Sequence, residues 1–162
     1  MMMGGVRSAG DTHRKGTTMP RPIVNRASTV WNGELFTGSG STTLETSGVG
    51  SFDVRWKARG EESGSVTTPE ELIAAAHATC YAMQFSNLLK ENGTPPTQLN
   101  TAAEVTFVAG EGITEIHLTV AGTVDGLDEA GFQKIAEEAK ETCPVSVALA
   151  GTSITLDSAT LS

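Results

Sequence analysis

The 162-residue chain lacks the features that define several common classes of protein. It has only two cysteines, Cys80 and Cys143, which is too few for a disulfide-stabilised scaffold and is typical of a reducing compartment. Lys and Arg total 11 against 19 Asp and Glu, and this acidic balance disfavours binding to nucleic acid or to an anionic membrane surface. The apolar runs are too short to span a bilayer. These absences predict a soluble cytoplasmic protein.

Glycine-rich phosphate-binding motifs are also absent. The sequences GSG at 38–40 and GVG at 48–50 lie between predicted strands, whereas a nucleotide-binding loop would open a helix. The first twenty residues have neither the apolar core of a secretory signal nor a helical or strand period. We therefore predict a disordered extension over residues 1–20 and one folded domain over residues 21–162.

The pattern of the folded part predicts an α+β domain. Three short strands precede a long helix, and two strands, a second helix and a final strand follow it. In FDVRWKAR the apolar and charged residues alternate, which is typical of a half-buried strand. The pair Asn32-Gly33, between apolar residues, indicates a type I′ hairpin. Asp128 is the predicted N-cap of the second helix, and Pro144 begins a short third helix.

The longest predicted element is a helix over residues 67–93. Thr68 is a suitable N-cap, Pro69 fits the first helical position, and Glu71 completes a capping box. Gly93, followed by two prolines, ends the helix. The middle segment, LIAAAHATCYAM, is apolar on nearly every side, so we expect this helix to be buried on all sides.

Both cysteines lie at positions that bear on their reactivity. Cys80 is in the apolar middle of the long helix, one turn after His77, and a buried thiol is most often an inert core residue. Cys143 precedes a proline at the start of the short helix, where free backbone N–H groups favour a thiolate. Considered alone, each cysteine also fits a packing role, and His77 fits a core residue that satisfies its polar atoms locally.

A zinc site is one alternative for these residues. His77 and Cys80 share a helix face, and Cys143 and His117 would complete four ligands. Structural zinc sites usually take their ligands in close pairs from loops, whereas this chain offers one pair on a buried helix. His117 also alternates with apolar neighbours and so points away from the apolar face of its strand. We therefore predict no metal site.

A reactive cysteine needs a cation near its sulfur, because a thiol with a pKa of about 8.5 is only slightly ionised at neutral pH. Arg55 is the first candidate, and Glu70 is the acid expected to orient it. Glu70 lies ten residues before Cys80, which is about 15 Å along a straight helix. One site can contain both only if the chain bends near Pro69 or if a partner subunit contributes one of them. The second case predicts a dimer with shared active sites, whereas the simpler alternative is that Arg55 and Glu70 are ordinary surface charges.

Two motifs give the chain a resemblance to a known family. TPEELIAAAHATC, followed by CPVSVAL, resembles the motif pair of the OsmC/Ohr family of thiol-dependent hydroperoxide reductases, and the likeness extends over residues 26–160. AAHATC is similar to the OsmC branch. The resemblance implies an OsmC-like fold over residues 21–162, in which antiparallel sheets wrap around a long central helix in an intertwined homodimer.

The same resemblance implies roles for individual residues. Cys80 matches the peroxidatic cysteine of the family, and Cys143 matches the resolving cysteine. Glu70 matches the acid of the P-E-E-L motif. Arg55 matches the arginine that family members carry on the strand before the helix, where it would activate the thiolate. Arg59 is the second choice, because this match has to cross the variable GEESGSV loop.

The implied reaction is the reduction of organic hydroperoxides, and of hydrogen peroxide, at interface active sites as a defence against oxidative stress. Cys80 would become a sulfenic acid, form a disulfide with Cys143 and be recycled by an external dithiol. Because sulfur would carry the redox chemistry, the resemblance implies no metal, flavin, haem or other cofactor. The apolar residues expected to contact the substrate are Phe52, Leu72, Ile73 and Met83. The alternative is a non-catalytic module that binds a small ligand and keeps both cysteines in its core.

Overall fold

The computed structural model describes residues 20–61 and 64–162, so nearly all of the predicted N-terminal extension lies outside the described residues. The elements in chain order are β1 (Ser28–Asn32), β2 (Ser39–Thr43), β3 (Ser51–Val54), α1 (Lys57–Gly60), α2 (Pro69–Glu91), β4 (Gln98–Val108), β5 (Gly112–Thr123), α3 (Glu129–Thr142), α4 (Pro144–Ala148) and β6 (Ser153–Leu161). The predicted α+β class is confirmed. Among these helices, none combines the length and the apolar character that a membrane crossing requires.

The strands of the described ranges form two three-stranded sheets. In the first sheet β1, β2 and β3 pair antiparallel in chain order. In the second sheet β4 pairs antiparallel with β5, whereas β6 runs parallel to β5. The second sheet is therefore mixed and not purely antiparallel as expected. Parallel neighbours need a long crossover connection, and α3 and α4 form that connection between β5 and β6.

The loop between β1 and β2 is longer than the two-residue turn predicted at Asn32-Gly33, so that prediction is wrong. β1 ends at Asn32, but β2 begins only after a loop over residues 33–38, so the connection is not a two-residue type I′ turn. Gly33 has φ +93°, a conformation that favours glycine. The carboxylate of Glu34 accepts the backbone N–H of Phe36 at 3.1 Å and so stabilises the longer loop.

The strand predicted over FDVRWKAR is also shorter than expected. β3 ends at Val54, and the chain then turns into α1, a single helical turn. Arg59 therefore belongs to a helix, and its guanidinium lies 5.3 Å from the ring centre of Trp56 and 4.0 Å from that of Phe107. These aromatic contacts join the α1 segment to β4 of the second sheet.

The helix α2 begins and ends close to its predicted limits. The hydroxyl of Thr68 accepts the backbone N–H of Glu71 at 3.1 Å, and Pro69 is the first helical residue. Beyond the other end, Gly93 has φ +84°, which reverses the chain direction at low conformational cost. The local capping signals were therefore sufficient to locate this helix.

The core forms between α2, α3 and the inner face of the second sheet. Tyr81, Phe85 and Leu89 are fully buried on α2, and their four-residue spacing places them on one face of the helix. The ring of Phe85 packs edge-on against Phe132 of α3, with 4.9 Å between the ring centres. The sheet contributes buried side chains at alternate positions of β5, namely Ile116, Leu118 and Val120.

The opposite face of α2 is open in the single chain. Ala75, Ala76 and Thr79 are exposed, and Met83 is 68% exposed. The expected burial on all sides is therefore wrong for one chain, because the core covers only the face that carries Tyr81. Further large apolar side chains are exposed on the first sheet and its loop, namely Val30, Leu35, Phe36 and Phe52.

His117 lies on the outer face of the second sheet, as predicted from the alternation of β5. Its Nδ1 is 2.9 Å from the Asp157 carboxylate, and its Nε2 is 3.4 Å from Glu115. The hydrogen bond with Asp157 is the main cause of a raised pKa of His117. His117 therefore faces away from the core that contacts Cys80, and the four zinc ligands considered above do not converge.

This ion pair predicts a pH-dependent stability. Because the folded chain binds the His117 proton more tightly than the unfolded chain, protonation stabilises the fold. The stabilisation is complete below the reference pKa of 6.5 and is lost as the pH rises through the raised pKa of His117. We expect Asp157→Asn to lower this pKa and to reduce the pH dependence of the unfolding free energy. Urea denaturation on both sides of neutrality, with NMR titration of the His117 ring, measures both effects. An unchanged titration in the variant would contradict the pairing.

Candidate functional site

The structure brings the two cysteines into contact. Cys80 lies on α2 and is partly buried, whereas Cys143 lies between α3 and α4 and is fully buried. Both are free thiols, and Cys80 packs against the buried cluster that contains Cys143, close enough for the two thiols to affect each other's ionisation. Because thiols in contact need only a small movement to reach bonding distance, this pair is suited to reversible disulfide formation.

The surroundings of Cys80 within one chain favour the neutral thiol. Burial is the main cause of a raised pKa of Cys80; the backbone N–H of Val145 bonds to this sulfur and acts in the opposite direction, and Cys143 raises the pKa further. The sequence had suggested that the free N–H groups of the short helix favour a thiolate at Cys143, but Val145 donates to Cys80. A thiolate at Cys80 therefore needs a cation from elsewhere.

Within this chain Glu70 binds Arg59, the second choice of the sequence analysis, and not Arg55. Nε of Arg59 lies 3.1 and 3.2 Å from the two carboxylate oxygens, and its Nη2 lies 2.5 Å from Oε1. Both side chains are largely buried, with 24% of Arg59 and 9% of Glu70 exposed. The physical reason is that β3 ends at Val54, after which α1 directs Arg59 towards the start of α2.

Arg55 and Arg59 line one cavity of about 520 Å³ beside the start of α2. The remaining wall is mostly apolar and includes Trp31, Leu35, Val54, Trp56, Pro69 and Leu72. Of the four predicted substrate contacts, Leu72 alone is among the residues that line this cavity. Met83 lines a separate groove beside Pro96, and the lining of the arginine cavity includes neither Ile73 nor Phe52.

The arginine cavity and the thiol pair are separate within one chain. Glu70 and Cys80 lie on the same helix, which extends from Pro69 to Glu91, and ten residues of helix correspond to about 15 Å. Because α2 already contains both residues, the alternative of a chain bend near Pro69 does not bring them together.

Two further side chains of α2 contact the segment that contains Cys143, and the sequence reasoning missed both contacts. Nε2 of His77 lies 2.7 Å from Oγ of Ser146, and Nε2 of Gln84 donates to Oγ1 of Thr142 at 2.8 Å. His77 is fully buried, and burial lowers its pKa. The sequence did contain one signal for these contacts. Residues three or four positions from Cys80 lie on the same face of the helix as Cys80, and His77 and Gln84 have this spacing.

Comparisons with known proteins identify the family. The model of a family described as "OsmC-like protein" matches residues 60–158. The chain is 40% identical over 131 residues to the peroxiredoxin OsmC of Escherichia coli (strain K12), a match that covers 78% of this chain and 90% of that protein. It is 26% identical over 99 residues to organic hydroperoxide resistance protein-like 2 of Staphylococcus epidermidis, which covers 59% of this chain and 68% of the relative.

Solved structures agree in fold. An OsmC organic hydroperoxide resistance protein from Legionella pneumophila matches with a TM-score of 0.62 and 22% identity, over 88% of this chain and 99% of that one. An OsmC-like protein from Mycoplasma pneumoniae matches with a TM-score of 0.66 and 13% identity, over 88% and 100% of the two chains. The fold is thus that of the OsmC/Ohr class of α+β proteins. On the family match and the 40% identity together, the chain belongs to the OsmC family.

The pairing of Arg59 with Glu70 predicts a measurable contribution to stability. Glu70→Gln removes the charge that the guanidinium pairs with, and we expect it to lower the unfolding free energy by about 1–3 kcal/mol. The matched control is Glu61→Gln, because the Lys57–Glu61 pair is exposed, with 64% and 63% of its side chains accessible. That change should cost less than about 0.5 kcal/mol. Urea denaturation at matched protein concentration measures both, and equal effects would contradict the structural importance of the Arg59 pair.

Proposed function

We propose that this protein is a cysteine-based peroxidase that reduces organic hydroperoxides, and hydrogen peroxide, in defence against oxidative stress. The observation that carries the proposal is the packing of Cys80 against the buried cluster that contains Cys143, which leaves the two thiols close together. The names of its relatives support it, since they include a peroxiredoxin and organic hydroperoxide resistance proteins.

In the first step the thiolate of Cys80 attacks the distal oxygen of the hydroperoxide. A sulfur–oxygen bond forms as the oxygen–oxygen bond breaks, and the leaving alkoxide takes a proton and departs as the alcohol. Cys80 is thereby oxidised to a sulfenic acid. Arg59, oriented by Glu70, supplies the positive charge that favours the thiolate and stabilises the leaving oxygen. Arg55 lines the same cavity and is a second cation available for this role.

In the second step the thiol of Cys143 attacks the sulfenic acid. A disulfide bond forms, the sulfur–oxygen bond breaks, and the hydroxyl leaves with the thiol proton as water. The disulfide protects Cys80 from further oxidation, and an external dithiol reduces it by thiol–disulfide exchange. Because sulfur carries both electrons, the proposed cycle includes no metal, flavin or haem.

The proposed active unit is a homodimer in which the Arg59–Glu70 pair of one chain meets the thiols of the other. Three features support this arrangement. The pair and the thiols are about 15 Å apart along the helix of one chain. The open face of α2 includes Met83, and the first sheet exposes further large apolar side chains such as Phe36. A second copy of the chain would bury this apolar surface and supply the missing cation.

The arginine cavity also supports a preference for organic substrates. Its wall combines two guanidinium groups with a mostly apolar surface that includes Trp31, Leu35 and Leu72. The guanidinium groups suit the peroxide oxygens, and the apolar wall suits an alkyl or aryl group. Hydrogen peroxide has no such group and gains nothing from this wall.

Free-thiol titration before and after one equivalent of cumene hydroperoxide tests the proposal. The native parent should lose both of its thiols, whereas Cys143→Ser should accumulate a sulfenic acid that dimedone traps on Cys80. Because the wall of the cavity is apolar, the same assay should give a lower second-order rate constant with hydrogen peroxide. Asp157→Asn, on the outer face of the second sheet, is the matched control and should leave both steps unchanged.

Two results would contradict the proposal at different levels. If neither thiol reacts while the protein remains folded, the peroxidase is wrong and a non-catalytic ligand-binding module becomes the better account. If hydrogen peroxide reacts faster than cumene hydroperoxide, the preference for organic substrates is wrong although the peroxidase stands.

A further inference from the structure

Two polar contacts from α2 hold the chain on either side of Cys143. Before this cysteine, Thr142 accepts a hydrogen bond of 2.8 Å from Gln84. After it, Ser146 shares a hydrogen bond of 2.7 Å with His77. The donors and acceptors on α2 lie three residues before and four residues after Cys80. One contact therefore lies on each side of the thiol pair, both along α2 and along the segment that contains Cys143.

The contact of His77 is unusual for a packing residue. Its ring is fully buried and bridges segments 69 positions apart in the sequence. Its other ring nitrogen, Nδ1, is buried without a hydrogen-bond partner in the part of the chain that the structure describes. An unpaired buried nitrogen costs stability, and an apolar side chain of similar size would avoid that cost. The bond to Ser146 is therefore the one contribution of His77 that an apolar side chain of similar size would not supply.

We propose that His77 and Gln84 are positioning residues that hold Cys143 against Cys80 for the disulfide step. This inference rests on the proposed function. Resolution joins the two sulfurs with loss of water, and its rate depends on how often the thiol of Cys143 lies in line with the sulfenic sulfur. A clamped segment keeps that geometry without local unfolding. The buried His77 bond is the stronger of the two contacts, since the bond from Gln84 is exposed in the single chain.

The proposal separates the two chemical steps. Neither His77 nor Gln84 needs to contact the hydroperoxide, so loss of a clamp should leave the formation of the sulfenic acid unchanged. A slow second step leaves the sulfenic acid available to a second hydroperoxide, which oxidises it to the sulfinic acid. The clamp therefore also determines how much hydroperoxide the protein tolerates before Cys80 is irreversibly lost.

Quenched-flow trapping of Cys80 with dimedone tests the clamp. With Ser146→Ala, sulfenic acid should form at the parent rate, but its conversion to disulfide should slow roughly tenfold, with more sulfinic acid in excess hydroperoxide. Thr142→Val should slow conversion about two- to threefold, because its lost bond is exposed. His77→Gln, which keeps a polar group, should retain more of the conversion rate than His77→Leu. Mass spectrometry of the quenched samples resolves the sulfenic adduct, the disulfide and the sulfinic acid.

Tyr81→Phe is the matched control for general loosening of the helix. It removes a buried hydrogen bond of 3.0 Å from α2 to the carbonyl of Ala136 but leaves both contacts beside Cys143 in place. Its conversion rate should equal that of the parent. The clamp is overturned if Ser146→Ala converts at the parent rate, if it slows both steps equally, or if Tyr81→Phe slows conversion to the same extent.

Equilibration with oxidised and reduced dithiothreitol tests the same geometry without any hydroperoxide. The effective concentration of the Cys80–Cys143 pair should fall roughly tenfold in Ser146→Ala relative to the parent. A parent that forms this disulfide in the dithiol buffer but does not react with hydroperoxide would overturn the proposed function and leave the clamp standing. Equal effective concentrations in parent and variant would overturn the clamp alone.

Discussion

The uninterrupted helix α2, from Pro69 to Glu91, is the constraint on which the candidate site depends. It holds Glu70 near its first turn and Cys80 in its middle, about 15 Å apart, so the charged pair and the thiols of one chain stay separate. One face of the helix completes the core through Tyr81 and Phe85, while the other remains open. In the proposed dimer this separation has a direct use, because the charged group of each chain lies where the thiols of its partner need it.

The thiol pair meets two opposing physical requirements. Burial keeps Cys143 in contact with Cys80 and away from other thiols, but the same burial raises the pKa of Cys80 and disfavours the reactive form. One backbone N–H, from Val145, only partly offsets this effect. The Arg59 guanidinium is already oriented by Glu70 and by two aromatic rings, so in the proposed dimer it would supply the remaining charge at little cost in side-chain entropy. The proposed site therefore obtains its geometry from one chain and its charge from another.

The sequence predicted the elements that local signals determine. The capping of α2 by Thr68, the N-cap at Asp128 and the alternation of β5 around His117 all depend on residues close in the chain, and all are confirmed. Arg59 was only a second choice, because its position depends on where β3 ends and on the ring of Phe107, which is distant in sequence. The contact of His77 with Ser146 was missed for the same reason. The pairing of the two cysteines came from a family resemblance and not from their spacing.

The most direct test of shared active sites is the activity of a purified mixed dimer, made by co-expressing differently tagged Cys80→Ser and Arg59→Met chains. In the proposed arrangement one site of this dimer combines an intact Cys80 with an intact Arg59 from the other chain. We therefore predict about half of the parent activity with cumene hydroperoxide, although each variant alone is nearly inactive. An equally inactive mixed dimer would show that Cys80 and Arg59 must belong to the same chain, and it would contradict the central claim.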